Sequence, residues 1–192
     1  MKTKRYRREV AMHVADELCN ALRPVCVRLC VAGSLRRGKA EVGDVEILYV
    51  GRTEERQIDL IQLVQVDLAA ERLERLLAGG VLARRRNVLG AVLAWGKKNR
   101  LAVHLATGVP VDLFAATEEN WWNYLACRTG PAESNRRIAV AAIKKGWKWN
   151  PYGSGFSRGD PLAGEPQSVA VTSEAEVFEF VGLPYLEPFL RT

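Results

Sequence analysis

The sequence predicts an α+β fold from three observations. Apolar residues alternate or run together over two short stretches, residues 25–31 and 45–50, as strands require. Val10, Val14, Leu18 and Leu22 recur at intervals of four, the stripe of an amphipathic helix that Pro24 ends. After Phe114 the character changes from strand to helix for most of the remaining chain. With 192 residues, the chain is long enough for one sizeable core. The division expected is residues 1–116, a mixed or antiparallel sheet with flanking helices and the N-terminal helix, followed by a smaller C-terminal subdomain, residues 117–192.

The first helix is expected to lie as a lid on the sheet. Arg5, Arg7 and Arg8 lie at or before its first turn, where the helix dipole disfavours cations; an external anion or plain solvation would answer this. In residues 25–31, Val25, Val27, Leu29 and Val31 alternate with Cys26, Arg28 and Cys30, and the strand runs into Gly33-Ser34. A loop from Leu35 to Gly43 then joins it to the central strand at 45–50. Residues 67–77 read as a helix stopped by Gly79-Gly80. Residues 81–104 read as a strand pair presenting cations, among them Arg84-Arg85-Arg86 and the Lys97-Lys98-Asn99-Arg100 cluster. Strands at 101–105 and 109–114 flank the turn Thr107-Gly108, with Pro110 at the start of the second strand or on a sheet edge. Thr117 is the expected N-cap of a helix through Trp121, Trp122 and Leu125 that stops at Thr129-Gly130. Pro131 fits the first position of the next helix, whose apolar side is Ile138, Ala142 and Ile143. Residues 150–167 read as a loop, and Ser173 to Glu176 as a capping box for a last short helix.

Composition narrows the function. No apolar run approaches the roughly 18 residues of a bilayer span, so no membrane role is expected. The basic N-terminus has no apolar segment after it, and a cytoplasmic setting, in a cellular, nucleoid or viral context, follows. Cys19, Cys26, Cys30 and Cys127 follow no zinc-site spacing and read as free thiols. A net charge of +6 suits an anionic partner, nucleic acid or nucleotide. His13 and His104 carry no catalytic signal, and the tryptophans at 121, 122, 147 and 149 read as core before they read as base-stacking platforms.

The chemistry concentrates in residues 32–48. Asp44 and Glu46 are two positions apart on a strand, which sets both carboxylates on one face about 7 Å apart at Cα. Asp112, among apolar neighbours, joins them if its strand pairs alongside. Three such groups suit two Mg²⁺ ions, or Mn²⁺, poised for in-line phosphoryl transfer. Gly33 lets a phosphate approach the backbone, Ser34 offers a hydroxyl, and Arg37 a planar fork for phosphate oxygens. The segment Gly33 to Ala40 nearly matches a P-loop, but Ala40 stands where Mg²⁺ needs Ser or Thr, and a strand follows where a helix should.

Gly33-Ser34 with Asp44-Val45-Glu46 resembles the nucleotidyltransferase signature, and the fuller string Gly-Ser-Leu-Arg-Arg-Gly-Lys with Gly43-Asp44 resembles the family X DNA polymerases. Val111-Asp112-Leu113 is similar to the strand bearing the family's third carboxylate. Thr129-Gly130 with Asn135 is similar to its nucleotide-holding thumb segment, and Gly146 to Tyr152 to its Gly-aromatic-x-x-Asn-x-Tyr string. Gly164-Glu165-Pro166 and residues 173–180 echo its C-terminal turn and helix. The resemblance implies a nucleotidyltransferase palm in residues 1–116 and a thumb-like nucleotide-binding subdomain in 117–192, with no lyase domain. It implies metal ligation by Asp44, Glu46 and Asp112, with Asp112 also activating a primer 3′-hydroxyl. It further implies nucleotide binding by Gly33, Ser34, Arg37, Gly43, Thr129, Gly130 and Asn135, and a monomer that takes dNTP and a DNA primer-template. DNA phosphates would meet Lys97, Lys98, Arg100, Arg136 and Arg137. Cys127-Arg128 replaces the family's usual aromatic pair, Glu46 its usual Asp, and Val42 offers phosphate no hydroxyl. Three readings follow: a minimal DNA polymerase serving repair or gap filling; a nucleotidyltransferase acting on RNA, a small molecule or a protein hydroxyl; and a non-catalytic nucleic-acid-binding module.

Overall fold

The structure, a computed structural model, describes residues 4–59, 62–86, 94–159 and 167–191. The chain forms two compact units, one of Met1–Val31 with Ala40–Ala116, the other of Ala32–Lys39 with Thr117–Thr192. Residues 32–39, expected within the first unit, thus cluster with the second.

The elements up to residue 116 are β1 (Tyr6–Arg7), α1 (Arg8–Leu22), β2 (Cys26–Val31), the one-turn helix α2 (Gly33–Arg36) of the second unit, β3 (Glu41–Val42), β4 (Val45–Gly51), β5 (Thr53–Gln57), β6 (Leu63–Asp67), α3 (Leu68–Ala78), β7 (Leu82–Arg84), β8 (Asn99–His104) and β9 (Pro110–Ala115). The main sheet runs β2-β4-β9-β8-β7. It is mixed: β4 and β9 are parallel, the other neighbours antiparallel. β4 is an interior strand on which Val45, Ile47, Leu48 and Tyr49 are fully buried, each large apolar side chain contributing about 1.5–3 kcal/mol.

Helix α1 packs on β2 and β4, but through Ala11, Val14, Ala15, Leu18 and Leu22, while Val10 is 40% exposed. A strict interval of four drifts around a helix of 3.6 residues per turn, and the small Ala11 and Ala15 fill the seam instead. Ahead of it, β1 pairs with β3, and Tyr6 donates to the Gly108 carbonyl at 2.6 Å. Glu9 in the first turn of α1 offsets the unfavourable dipole term of the neighbouring arginines. In β2 the expected alternation breaks: Cys26 is buried and Val27 is 57% exposed. The register against β4 shifts between Cys26 and Arg28, and the extra residue of that bulge resets the faces.

Residues 53–57 and 63–67, whose strands were not anticipated, pair antiparallel as β5 and β6, and Asp67 then caps α3 by accepting from the Ala70 amide at 2.9 Å. β7 and β8 pair as expected; residues 87–93 of that predicted strand pair lie outside the described residues. Pro110 opens β9, which lies inside the sheet and not at its edge. His104 is buried between Glu17, with Nε2–Oε2 at 3.2 Å, and the Thr107 hydroxyl at 2.9 Å, a structural role.

The second unit adds α4 (Trp121–Thr129), α5 (Ala132–Lys144), an antiparallel sheet of β10 (Lys148–Trp149), β11 (Gly155–Arg158) and β12 (Gln167–Ala170), and α6 (Glu174–Phe180). Helix α4 starts at Trp121 and not after Thr117, because Thr117 and Asn120 bond each other reciprocally in a turn that holds the chain off the helical path. Pro131 is the N-cap of α5, one position earlier than expected. Ile138 and Ala142 face the core formed with Trp149, Phe156, Val177 and Phe178, whereas Ile143 is 68% exposed. Part of the expected loop at 150–167 is strand β11, and Gly164-Glu165-Pro166 lie outside the described residues. Ser173 accepts from the Glu176 amide at 3.1 Å, but the Glu176 carboxylate answers Thr172, at 2.6 and 2.7 Å, in place of the cap residue's own amide.

Burial pushes the thiols of Cys19 and Cys26 from 9.0 up to about 11. The unfolded chain therefore ionises these thiols first, so stability is full below pH 9 and falls between pH 9 and about 11. Urea midpoints at pH 8 and pH 10.5 check this. At pH 8 a thiol reagent should label the half-buried Cys30 and Cys127 before the other two.

Candidate active site

The parallel pairing of β4 with β9 sets Val45 beside Val111 and Glu46 beside Asp112, with Asp44 immediately ahead of β4. All three carboxylates are half-buried. The expected neighbourhood of Asp112 is thus resolved to one register position. Within the same unit Arg85, which sequence reasoning treated only as part of a cationic run, donates through Nη2 to Asp112 Oδ1. Its amide bonds the Leu101 carbonyl at 3.0 Å and its Nε the Ala102 carbonyl at 3.1 Å. Leu101 in turn pairs with Asp112, so Leu101, Asp112 and Glu46 form one row across β8, β9 and β4, and Arg85, immediately after β7, extends it.

Among the described residues, no three His, Cys, Asp or Glu side chains are grouped closely enough to hold a metal ion. The donors fit a hard divalent cation in kind, being carboxylate oxygens, and in register, being neighbours on adjacent strands.

The nucleotide-binding residues expected from the sequence divide between the units. Gly43 lies with the carboxylates, and a side chain there would meet nothing within 4 Å. In the second unit Gly33, at φ 61°, turns the chain into α2, a backbone angle that favours glycine. Ser34 is half-buried, and its carbonyl accepts from the Lys39 amide at 3.1 Å. Arg37 donates through Nη1 to the Thr129 carbonyl. Gly130, at φ 55°, leaves room beside it: an added Cβ would sit 3.5 Å from Arg37 Nη1. Arg37, Thr129 and Gly130 are therefore brought together. Asn135 instead ties α5 to α4, its amide nitrogen donating to the Cys127 carbonyl at 2.9 Å.

A buried ionic network holds α2 within this unit. Arg36 grips Glu174 through both terminal nitrogens, at 2.9 and 2.5 Å, and donates to the Thr129 hydroxyl. Arg191, 1% exposed, reaches the same carboxylate at 3.0 Å and lies over the Phe178 and Tyr185 rings. Two guanidinium groups share one carboxylate, with the aromatic faces supplying further stabilisation. No spacing rule links residues 36, 174 and 191, so the sequence alone did not reveal the network. Asn123, fully buried, was missed too. It accepts from Trp149 Nε1 at 2.7 Å and donates to the carbonyls of Asn150 and Gly153 at 2.6 and 2.9 Å.

Of the expected DNA contacts, Lys97, Lys98, Arg136 and Arg137 are exposed. Arg136 and Arg137 line a surface groove of about 490 Å³ along α5. Arg100 corrects the expectation: it is 6% exposed and its guanidinium is spent on the Tyr49 hydroxyl and the Lys97 carbonyl. Tyr49 in consequence sits in a buried polar pair, its hydroxyl pushed up to about 12 chiefly by burial. Trp121 and Trp149 are core residues. Arg128 lies 5.4 Å from the Tyr124 ring centre and 5.6 Å from that of Tyr152.

Glu174→Ala removes the buried carboxylate that the buried Arg191 and the half-buried Arg36 share, and is expected to cost about 3–5 kcal/mol in urea unfolding. A loss under about 1 kcal/mol would show the network to be incidental.

No curated protein matches the chain. The sequence of residues 124–192 matches the family model for the DNA polymerase beta thumb. The match covers α4 from Tyr124 through α5, the three-stranded sheet and α6, and the first unit with its carboxylates lies outside it. The C-terminal part of this chain is therefore similar to the thumb of DNA polymerase beta.

Proposed function

We propose that the protein is a minimal DNA polymerase X-like nucleotidyltransferase, adding dNMP from a dNTP to a primer 3′-hydroxyl, in DNA repair or gap filling. The observation that carries this reading is the register that sets Asp112 beside Glu46. The match of residues 124–192 to the DNA polymerase beta thumb supports a polymerase over other nucleotidyltransferases. Asp44, Glu46 and Asp112 would hold two Mg²⁺ ions, which when bound polarise the phosphate and stabilise the departing pyrophosphate. Asp112 helps to draw the proton from the 3′-hydroxyl. The 3′-oxygen then bonds to the α-phosphorus as the bond to the β-phosphate breaks. Ser34 and Arg37 orient the triphosphate, and Thr129 and Gly130 shape the nucleotide end. Lys97, Lys98, Arg136 and Arg137 hold the DNA backbone through charge.

Primer extension on a gapped template, with each dNTP and Mg²⁺, tests the reading. Addition directed by the template base is expected. Untemplated addition, or use of one ribonucleotide alone, would assign the chain to a nucleotidyltransferase with an RNA, small-molecule or protein acceptor. Asp112→Ala is expected to lower transfer by about 10²–10⁴-fold while nucleotide binding persists; wild-type turnover in that variant removes Asp112 from the site. Arg136→Ala with Arg137→Ala should weaken DNA binding for all sequences and flatten its salt dependence by about two phosphate contacts.

A further inference from the structure

We propose that Arg85 is a built-in counter-ion that competes with the divalent cation for Asp112, and so sets how tightly the cation is held. The proposal rests on the reading of Asp44, Glu46 and Asp112 as cation ligands.

The placement of Arg85 is specific. Arg84, one residue earlier, turns to Glu74 of α3 at 3.0 Å and lies over the Trp95 ring. Alternation along the strand sends the next side chain to the opposite face, and there Arg85 meets Asp112. Of two adjacent arginines, one is thus a surface partner and the other faces the carboxylates. Two main-chain carbonyls from β8 hold Arg85 in place, one on its amide and one on Nε, and Nη2 is left to reach Asp112.

A guanidinium stays charged at any working pH, so this contact ends by movement and not by loss of a proton. A carboxylate oxygen paired with Arg85 is withheld from a cation. A cation drawn to the row by Glu46 and Asp112 would also meet the like charge of Arg85. Both side chains are partly solvated, which moderates these terms to a modest tuning of affinity.

Direct Mn²⁺ binding to the full chain, by calorimetry and by the electron paramagnetic resonance of free Mn²⁺, tests the proposal without recourse to turnover. Arg85→Gln is expected to bind Mn²⁺ about three- to tenfold more tightly than wild type, with Arg85→Lys close to wild type because it keeps the charge. In EDTA, Arg85→Gln should melt lower than wild type, and Mn²⁺ should raise its Tm by more. Asp112→Asn should weaken Mn²⁺ binding. Unaltered or weaker binding in a folded Arg85→Gln, with Asp112→Asn still weakened, overturns the role of Arg85 and leaves the carboxylate reading standing. No effect of Asp112→Asn overturns the carboxylate reading, and the proposal with it. If Arg85→Gln does not fold, the Nε–H resonance of Arg85 in the wild-type protein decides. A shift on Mg²⁺ titration, lost in Asp112→Asn, supports competition, and a resonance that does not respond excludes it.

Discussion

The parallel hydrogen-bonded pairing of β4 with β9 is the constraint on which the first unit depends. The paired residues of these strands lie 66 positions apart in the chain, and a parallel pair needs a crossover in place of a tight turn. The crossover is supplied by the β5–β6 hairpin, α3, β7 and β8. Once that pairing is set, Val45, Ile47, Val111 and Leu113 fill the core, and the alternate residues Glu46 and Asp112 are carried into one row. Apolar burial on one side of the strands thus supports charged chemistry on the other. A slip of one residue would reverse both at once.

The second unit relies on a different force. Its apolar core of α4, α5, α6 and the small sheet is conventional, whereas α2 is tied in by Arg36 and a carboxylate shared with Arg191. Buried ion pairs of this kind contribute little net stability against an apolar replacement, yet they punish the loss of one partner severely. Their effect is to fix where a short helix sits. A single turn such as Gly33–Arg36 is too short to persist by itself, and packing and ion pairing must supply what helix propensity cannot.

The strands that bury a face, and the carboxylates on them, were legible in the sequence because alternation and apolar density report burial directly. Val10, Val27 and Ile143 were misread for one reason: each fits an idealised period that a drifting helix face or a bulge displaces by one residue. The β5–β6 hairpin was invisible because residues 53–57 are polar on both faces and exposed, with Arg56 bound to Glu54 and Glu71. The cationic clusters were visible as charge but not as direction. Arg85, Arg100 and Arg36 turn inward to Asp112, Tyr49 and Glu174, and only tertiary geometry separates them from Lys97 or Arg137, which remain outside.

Residues 32–39 leave strand β2, join the second unit, and return the chain to the first at Ala40. The bonds that hold this excursion span 93 and 138 positions, from Arg36 to Thr129 and to Glu174. Closing such long intervals is slow relative to forming local helices and hairpins. During synthesis on the ribosome, the excursion emerges well before either of its partners. It must therefore wait undocked until Glu174 has been made, and a C-terminal fragment cut at residue 117 would carry Glu174 and Arg191 without the arginine that completes their triad.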